Sequence, residues 1–536
     1  MTGWNFAEVW ETVAELLPDA QAQVQGKRRF TWADMDRRAN GVAATLLAAG
    51  VAHQDKVAQY LYNGPEYLES MFAVYKTGLV PVNTNYRYGD EELVYLWDNA
   101  DAVAVVFHGA FTERVTALRP KLPNVRTWLW VDDGSGPRPE WAIDYEEAAA
   151  SHPGRVVAPW GRSGDDLYML YTGGTTGMPK GVMWRQDDLF QLLNASAFRR
   201  IPEGADLQAL RESVTGPGMV SMPACPLMHG TGAMTSMSNL ATGGSVVTLA
   251  GRSFDVAELL DTIQAERVNA IAIVGDAFAK PMLAALDAEP ERWDISSLML
   301  VVSSGVMWSE ATKQGLLRHH PNMILADTFS SSEALGMGTS VSHAGGTANT
   351  AKFSLGENAR VITDDGRDVE PGSGEVGMVA VKGRVPVGYY KDPEKTARTF
   401  REIDGARYSI PGDYATVEAD GTLKLLGRGS VCINTGGEKV YPEEVEEAIK
   451  EHGSVADAVA VGVPDERFGE AICALVQPRP GAEIDEAAII EHVKTRLASF
   501  KAPKRVLPVT DIGRAPNGKV DYRRLRDEAV ARLGAG

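Results

Sequence analysis

Residues 31–107 switch repeatedly between two hydrophobic periods, and this constrains the fold more than any other feature. TWADMDRRANGVAATLLAAG repeats its apolar residues at helical spacing and stops at Gly50. DKVAQYLY then reads as a strand, PEYLESMFAVYKTG as a helix with Gly78 past its end, LVPVN as a strand, EELVYLWDN as a helix and DAVAVVF as a buried strand. Alternation of this kind builds βαβ units, in which helices cover a largely parallel sheet. The pattern returns at VAELLDTIQAERV, a helix, and at NAIAIVG and LMLVVSS, two strands.

From about Asn358 to Leu426 the texture changes. ARVITDDG, GEVGMVAVKG and GDYATVEADGTLKLLG are short alternating runs between Asp-Gly and Pro-Gly turns, the pattern of antiparallel hairpins and of a small β-barrel. A third texture begins near Arg428. YPEEVEEAIKEHG is a helix with Pro442 in its first turn and Gly453 past its end. DAVAVGVPD and AICALVQP read as strands, DEAAIIEHVKTRL and YRRLRDEAVARL as helices, which makes a compact α+β domain. A chain of 536 residues exceeds what one core supports, so this division is expected.

The net charge of −18 argues against nucleic acid as a partner. Charge is uneven, however: between Lys494 and Arg526 ten Lys/Arg stand against two Asp. Cys225, Cys432 and Cys473 are widely spaced and form no disulfide or metal framework, which suits a reducing compartment. The first residues, MTGWNFAEVWETVAELL, lack the basic and apolar regions of a secretion signal. No run approaches the ~18 apolar residues of a membrane span. A cytoplasmic enzyme is expected, with peripheral membrane contact and the oligomeric state, a homodimer included, left open.

YTGGTTGMPKGV, from Tyr171 to Val182, is the segment most suited to holding phosphate. Thr172, Gly173, Gly174, Thr175, Thr176 and Gly177 offer hydroxyls and an unobstructed backbone whose N–H groups can wrap phosphate oxygens. Lys180 adds a point charge. A Walker loop is excluded, because Lys180 lies between Pro179 and Gly181 and the following GVMW reads as strand, not helix.

Six further segments accompany this loop in order: PLMHGTG, SSGVMW, DTFSSSE, GDYA with LGRGS, INTGGEKVYPEEVE and RAPNGK. With it, they resemble the adenylate-forming superfamily of acyl-CoA synthetases, adenylation domains and luciferases, from about Phe30 to Lys519. YTGGTTGMPKGVMWR, PVGYYKDPEKTARTF and GRGSVCINTGGEKVYPEEVE are most similar to actinobacterial acyl-CoA ligases for fatty acids and steroid side chains. The resemblance implies an N-terminal adenylation domain over 1–427, a hinge at 428–430 and a mobile C-terminal domain over 431–536. It implies two half-reactions: a carboxylate attacks the α-phosphorus of ATP to give an acyl-adenylate, then the thiol of CoA takes the acyl group and releases AMP.

By the same resemblance Lys519 supplies the cation that adenylation needs where negative charge gathers. Glu333 is the expected Mg2+ ligand, since a hard cation wants carboxylate oxygen, and Thr175 is the second metal contact. Thr172, Thr175, Thr176 and Lys180 would hold the pyrophosphate portion. Gly305, Val306 and Met307 would form one wall of the adenine site and Phe329 the other, with Asp327 at the base edge and Ser330 and Ser332 beside it. Asp413 would accept from the ribose hydroxyls, and Arg428 would contact the ribose side. His229 would stand beside the reacting carboxylate, and Gly436 and Gly437 would line the pantetheine path.

The chain departs from the family pattern in its metal segment, where Phe329 and Ser332 replace the usual Tyr and Thr, and at the hinge, where Ser430 replaces Asp or Lys. SMPACPLMHGTGAMTSMSNLATGG, around His229, holds no Lys, Arg, Asp or Glu and is rich in Met, Ala and Gly. An apolar, sizeable acid is expected there, because small residues leave volume and Met adapts to irregular shapes. The competing readings are an acyl-AMP ligase serving a carrier protein, an enzyme cleaving the β–γ bond of a nucleotide, and a non-catalytic nucleotide-binding homologue.

Overall fold

The computed structural model describes residues 3–534 apart from 173–177, 306–307, 347–351, 436–437, 466–468, 498 and 516–517. The expected alternation is present. The helix Trp32–Ala48 starts at Thr31, whose hydroxyl accepts from the Asp34 N–H while the Asp34 carboxylate accepts from the Thr31 N–H. This reciprocal cap satisfies two donors that a helix start leaves over. The strand Ala102–His108 is almost wholly buried, as its unbroken apolar sequence requires of a parallel strand covered on both faces.

Three sheets organise the chain. In the first, of eight strands, Lys56–Tyr60 lies between Val80–Asn83 and Ala102–His108, all parallel. Thr127–Val131 and Ile143–Asp144 extend it on one side. On the other side comes Leu167–Thr172, then the antiparallel Lys180–Arg185 and Gly388–Tyr389. The second sheet has a parallel half: Gln21–Gln25, Ser245–Thr248, Val220–Pro223, Ala270–Ile273, Leu300–Ser304 and Ile324–Ser331. It turns antiparallel at the hairpin Ile324–Ser331 and Ala334–Ser342.

The hairpin region confirms the antiparallel pattern and corrects the expected barrel. Lys352–Leu355 pairs with the edge of Ala334–Ser342, and Leu423–Arg428, Asp413–Val417 and Gly377–Lys382 follow. Among the described residues no strand pair closes the ring. The free edge of Ala334–Ser342 captures these strands by hydrogen bonding, so they prolong the larger sheet. They curl over a core of Phe329, Met337, Phe353, Val379 and Leu423 without sealing it.

The strand Leu423–Arg428 leaves this sheet through the turn Gly429–Val431 and enters the third sheet at Ile433–Thr435. That sheet has five strands. The helices Pro442–Lys450 and Glu486–Lys494 bury Val445, Ile449, Ile489 and Val493 on one face, and Tyr522–Leu533 buries Leu525 and Ala529 on the other. At the junction the rings of Tyr414 and Tyr441 lie 5.5 Å apart. No helix among the described residues is long and apolar enough to cross a membrane.

Candidate active site

Two strands flank the segment expected to hold phosphate. Leu167–Thr172 and Lys180–Arg185 pair antiparallel, with Thr172 opposite Lys180. The strand after the loop settles the Walker question against that motif. Gly173, Gly174, Thr175, Thr176 and Gly177 lie outside the described residues, as do Val306, Met307, Gly436 and Gly437.

The Lys180 ammonium is 2.6 Å from a carboxylate oxygen of Asp392. Hydrogen bonding to Asp392 raises the pKa of Lys180. The other Asp392 oxygen caps the helix Pro393–Thr399 by accepting from the Lys395 N–H at 3.0 Å. Three residues earlier, the Tyr389 hydroxyl donates to Glu333 Oε1 at 2.8 Å in a buried contact. Glu333 occupies the turn between Ile324–Ser331 and Ala334–Ser342. Its carbonyl accepts from Ser409 Oγ at 2.7 Å, and the Ser332 carbonyl accepts from Trp184 Nε1 at 2.9 Å. Strand pairing between Gly388–Tyr389 and Lys180–Arg185 thus brings the lysine of one loop and the carboxylate of another under common control.

Two asparagines fix the segment before His229. The Asn63 amide donates to the Pro223 and Cys225 carbonyls, at 3.4 and 3.1 Å, and its oxygen accepts from the Leu227 N–H at 2.7 Å. Asn83, buried at the end of its strand, donates to the Tyr171 and Met228 carbonyls at 2.9 and 2.7 Å and accepts from the Tyr171 N–H at 2.6 Å. Asn83 therefore ties the strand that enters the phosphate loop to the segment that presents His229. His229 begins the helix Gly230–Ala241. Packing within the protein pushes its imidazole down to about 3, with Lys519 and then Arg87 adding like-charge repulsion. The ring is held neutral.

The remaining sequence-expected residues fall on strands or just after them. Gly305 follows the strand Leu300–Ser304 with φ +92°, a conformation that favours glycine. Asp327 is buried in mid-strand, not at a helix cap, and its carboxylate lies 2.5 Å from the Lys313 ammonium. Burial raises the Asp327 pKa, and Lys313 opposes that rise. Phe329 packs on Phe353 at 5.6 Å. Ser330 Oγ accepts from the Gly336 N–H at 3.2 Å. Asp413 is buried at the start of its strand and stands opposite Arg428 in the register.

Residues 10–390 match the model of the AMP-binding enzyme family, and residues 444–519 match its C-terminal domain. The chain belongs to the AMP-binding enzyme family.

The family's architecture recurs in solved relatives. ATP-bound MatB from Rhodopseudomonas palustris superposes with a TM-score of 0.82 at 26% identity, over 99% of this chain and 100% of that one. A medium/long-chain-fatty-acid–CoA/3-oxocholest-4-en-26-oate–CoA ligase of Mycobacterium marinum is 40% identical, over 98% of this chain and 97% of its own length. A 3-oxocholest-4-en-26-oate–CoA ligase of Rhodococcus rhodochrous is 42% identical, over 98% and 96%. The chain is an AMP-forming acid–thiol ligase.

Several residues that contact the sequence-expected ones in this AMP-binding enzyme escaped sequence reasoning. Tyr389 and Asp392 sit in PVGYYKDPEKTARTF, a segment that carried resemblance but no assigned role. Asn63, Asn83 and Lys313 carry no motif. A polar residue closing an otherwise apolar strand, as Asn83 closes LVPVN, was the one available signal.

Proposed function

We propose that this enzyme activates a medium- or long-chain fatty acid, or a steroid side-chain acid, with ATP and passes the acyl group to CoA. The observation that carries this reading is Asn83, which holds the strand entering the expected phosphate loop against the uncharged segment that presents His229. By resemblance, Lys519 would offer a cation where the carboxylate and the α-phosphate meet. The carboxylate oxygen attacks the α-phosphorus, and the bond to pyrophosphate breaks. Lys519 offsets the charge gathering between two anions. Lys180 must leave Asp392 to meet the departing pyrophosphate.

Glu333 fits a Mg2+ ion, because its buried carboxylate takes a hydroxyl and not a cation as its hydrogen-bond partner. When bound, the ion would neutralise phosphate charge. A single carboxylate suits Mg2+, which usually takes one or two carboxylates together with phosphates and water. Asp413, with Arg428 opposite, would receive the ribose hydroxyls, and Gly305, Phe329 and Asp327 would frame the base.

A neutral His229 adds no charge to an apolar acid beside it. The helix it begins, Gly230–Ala241, carries no charged residue and offers Gly232, Ala233 and Ser236 along its path. The names of the relatives favour the same substrate class. In the second half-reaction the CoA sulfur attacks the acyl carbon, and the bond to AMP breaks. We infer a hinge at 428–430, where the turn Gly429–Val431 joins two separately cored units, so that Lys519 and the 436–437 segment serve the site in turn.

The test is incubation with ATP, Mg2+, CoA and a panel running from acetate to long-chain and steroid side-chain acids, with nucleotide products identified. AMP with an acyl-CoA of a long or polycyclic acid is expected. ADP as the nucleotide product, or highest kcat/KM on acetate, would overturn the reading.

A further inference from the structure

Lys519 is an exposed side chain on a loop. A lysine side chain has many rotamers, and a cation useful in a transition state must already be in place. The loop is closed by two backbone bonds, Ala515 N–H to the Lys519 carbonyl at 2.9 Å and Gly518 N–H to the Ala515 carbonyl at 2.7 Å. Gly518 adopts φ +70°, which favours glycine. A third grip comes from Arg514. Its Nη1 donates to the Gly518 carbonyl, the peptide leading into Lys519, at 3.2 Å.

Arg514 is itself locked. Its Nε and Nη2 donate to the two oxygens of Asp457 at 2.6 and 2.9 Å. Asp457 lies on the strand Val455–Asp465, where the register shifts, and one of its oxygens also accepts from the Ala458 N–H at 2.8 Å. The ion pair holds the Asp457 carboxyl below its ordinary value against the pull of burial. The far end of the loop is fastened separately. The Tyr522 hydroxyl donates to the buried Glu446 at 3.0 Å, which also accepts from the Ala460 N–H at 3.1 Å.

We propose that Arg514, held as a fork by Asp457, is a positioning residue that aims Lys519 for adenylation. This rests on the reading of Lys519 as the adenylation cation. A guanidinium can bind a carboxylate with two parallel bonds and still reach a carbonyl with a third donor; an ammonium is a point charge and cannot hold that geometry. Arg514 therefore matters where Lys519 does, in adenylation, and the thioester half-reaction does not need it.

The experiment uses the full-length enzyme and measures the half-reactions apart: pyrophosphate release from ATP and a long-chain acid without CoA, and acyl-CoA formation from supplied acyl-adenylate. Arg514→Gln and Asp457→Asn should lose adenylation by about tenfold to a hundredfold, the scale of a misplaced catalytic group, with the KM for ATP nearly unchanged. Their thioester half-reaction should stay within about twofold, because no step at phosphorus remains in it. In a Lys519→Ala background Arg514→Gln should cost nothing further, since residues acting as one unit are not additive. Arg514→Lys, a milder change should the others fold poorly, should show a smaller loss confined to adenylation. Equal losses in both half-reactions, or a full additional loss in the Lys519→Ala background, would overturn the proposal. Normal adenylation by Arg514→Gln in an enzyme that Lys519→Ala disables would overturn the positioning role alone. Normal adenylation by Lys519→Ala would overturn the reading of Lys519 and the proposal together.

Discussion

Replacing Asn83 tests whether the site is held together by side-chain amides. Its three hydrogen bonds, at 2.6, 2.7 and 2.9 Å, go to backbone groups in a buried setting. Each is worth about 1 kcal/mol net, and a buried donor or acceptor left without its partner costs about 1–3 kcal/mol. Asn83→Ala should therefore destabilise the enzyme by about 3 kcal/mol and lower the unfolding midpoint by about 3 °C. Asn83→Asp is the sharper probe. It keeps the acceptor for the Tyr171 N–H but turns an anionic oxygen toward the Tyr171 and Met228 carbonyls. The aspartate would be more costly than alanine at pH 7, because two acceptors and a charge then meet without a proton. Its pKa in the fold would lie above the ordinary 3.9, so the penalty is present at neutral pH and fades as pH falls through that raised value. Denaturation followed by tryptophan fluorescence at pH 7 and pH 5, with adenylation rates at pH 7, reads both effects. A loss under about 1 kcal/mol for alanine, with aspartate no worse, would refute the clamp.

Two further outcomes follow from charges at the site. Asp392→Asn keeps a helix cap but removes the carboxylate that, on the proposed reading, would compete with phosphate for Lys180, so the KM for ATP should fall by up to about fivefold, the worth of a partly exposed ion pair; a rise in KM would show that Asp392 positions the lysine instead. The folded pKa of His229, about 3, lies below its unfolded 6.5, so its stability contribution is complete above pH 6.5 and is lost as pH falls toward 3. The advantage of the wild type over His229→Gln should shrink by about 2 kcal/mol between pH 7 and pH 5, and an advantage independent of pH would show that the ring is not held neutral.

Much of this protein was legible in its sequence because periodicity is a local property. The helix Trp32–Ala48, the buried strand Ala102–His108 and the strand after the phosphate loop each follow from the spacing of their own side chains. Segment order carried the family, since GDYA, LGRGS and RAPNGK are readable as strings. Tertiary structure alone decided what depends on pairs distant along the chain. Asn83 meets Met228 across 145 positions, Lys180 meets Asp392 across 212, and Tyr389 meets Glu333 across 56. No local pattern encodes such contacts, because they arise when Gly388–Tyr389 pairs with Lys180–Arg185 and when parallel strands bring their ends to one rim. The barrel was misread for the same reason. Hairpin turns announce antiparallel strands, but whether the last strand finds the first or joins an edge already offered by Ala334–Ser342 is settled by hydrogen-bonding groups far away in sequence.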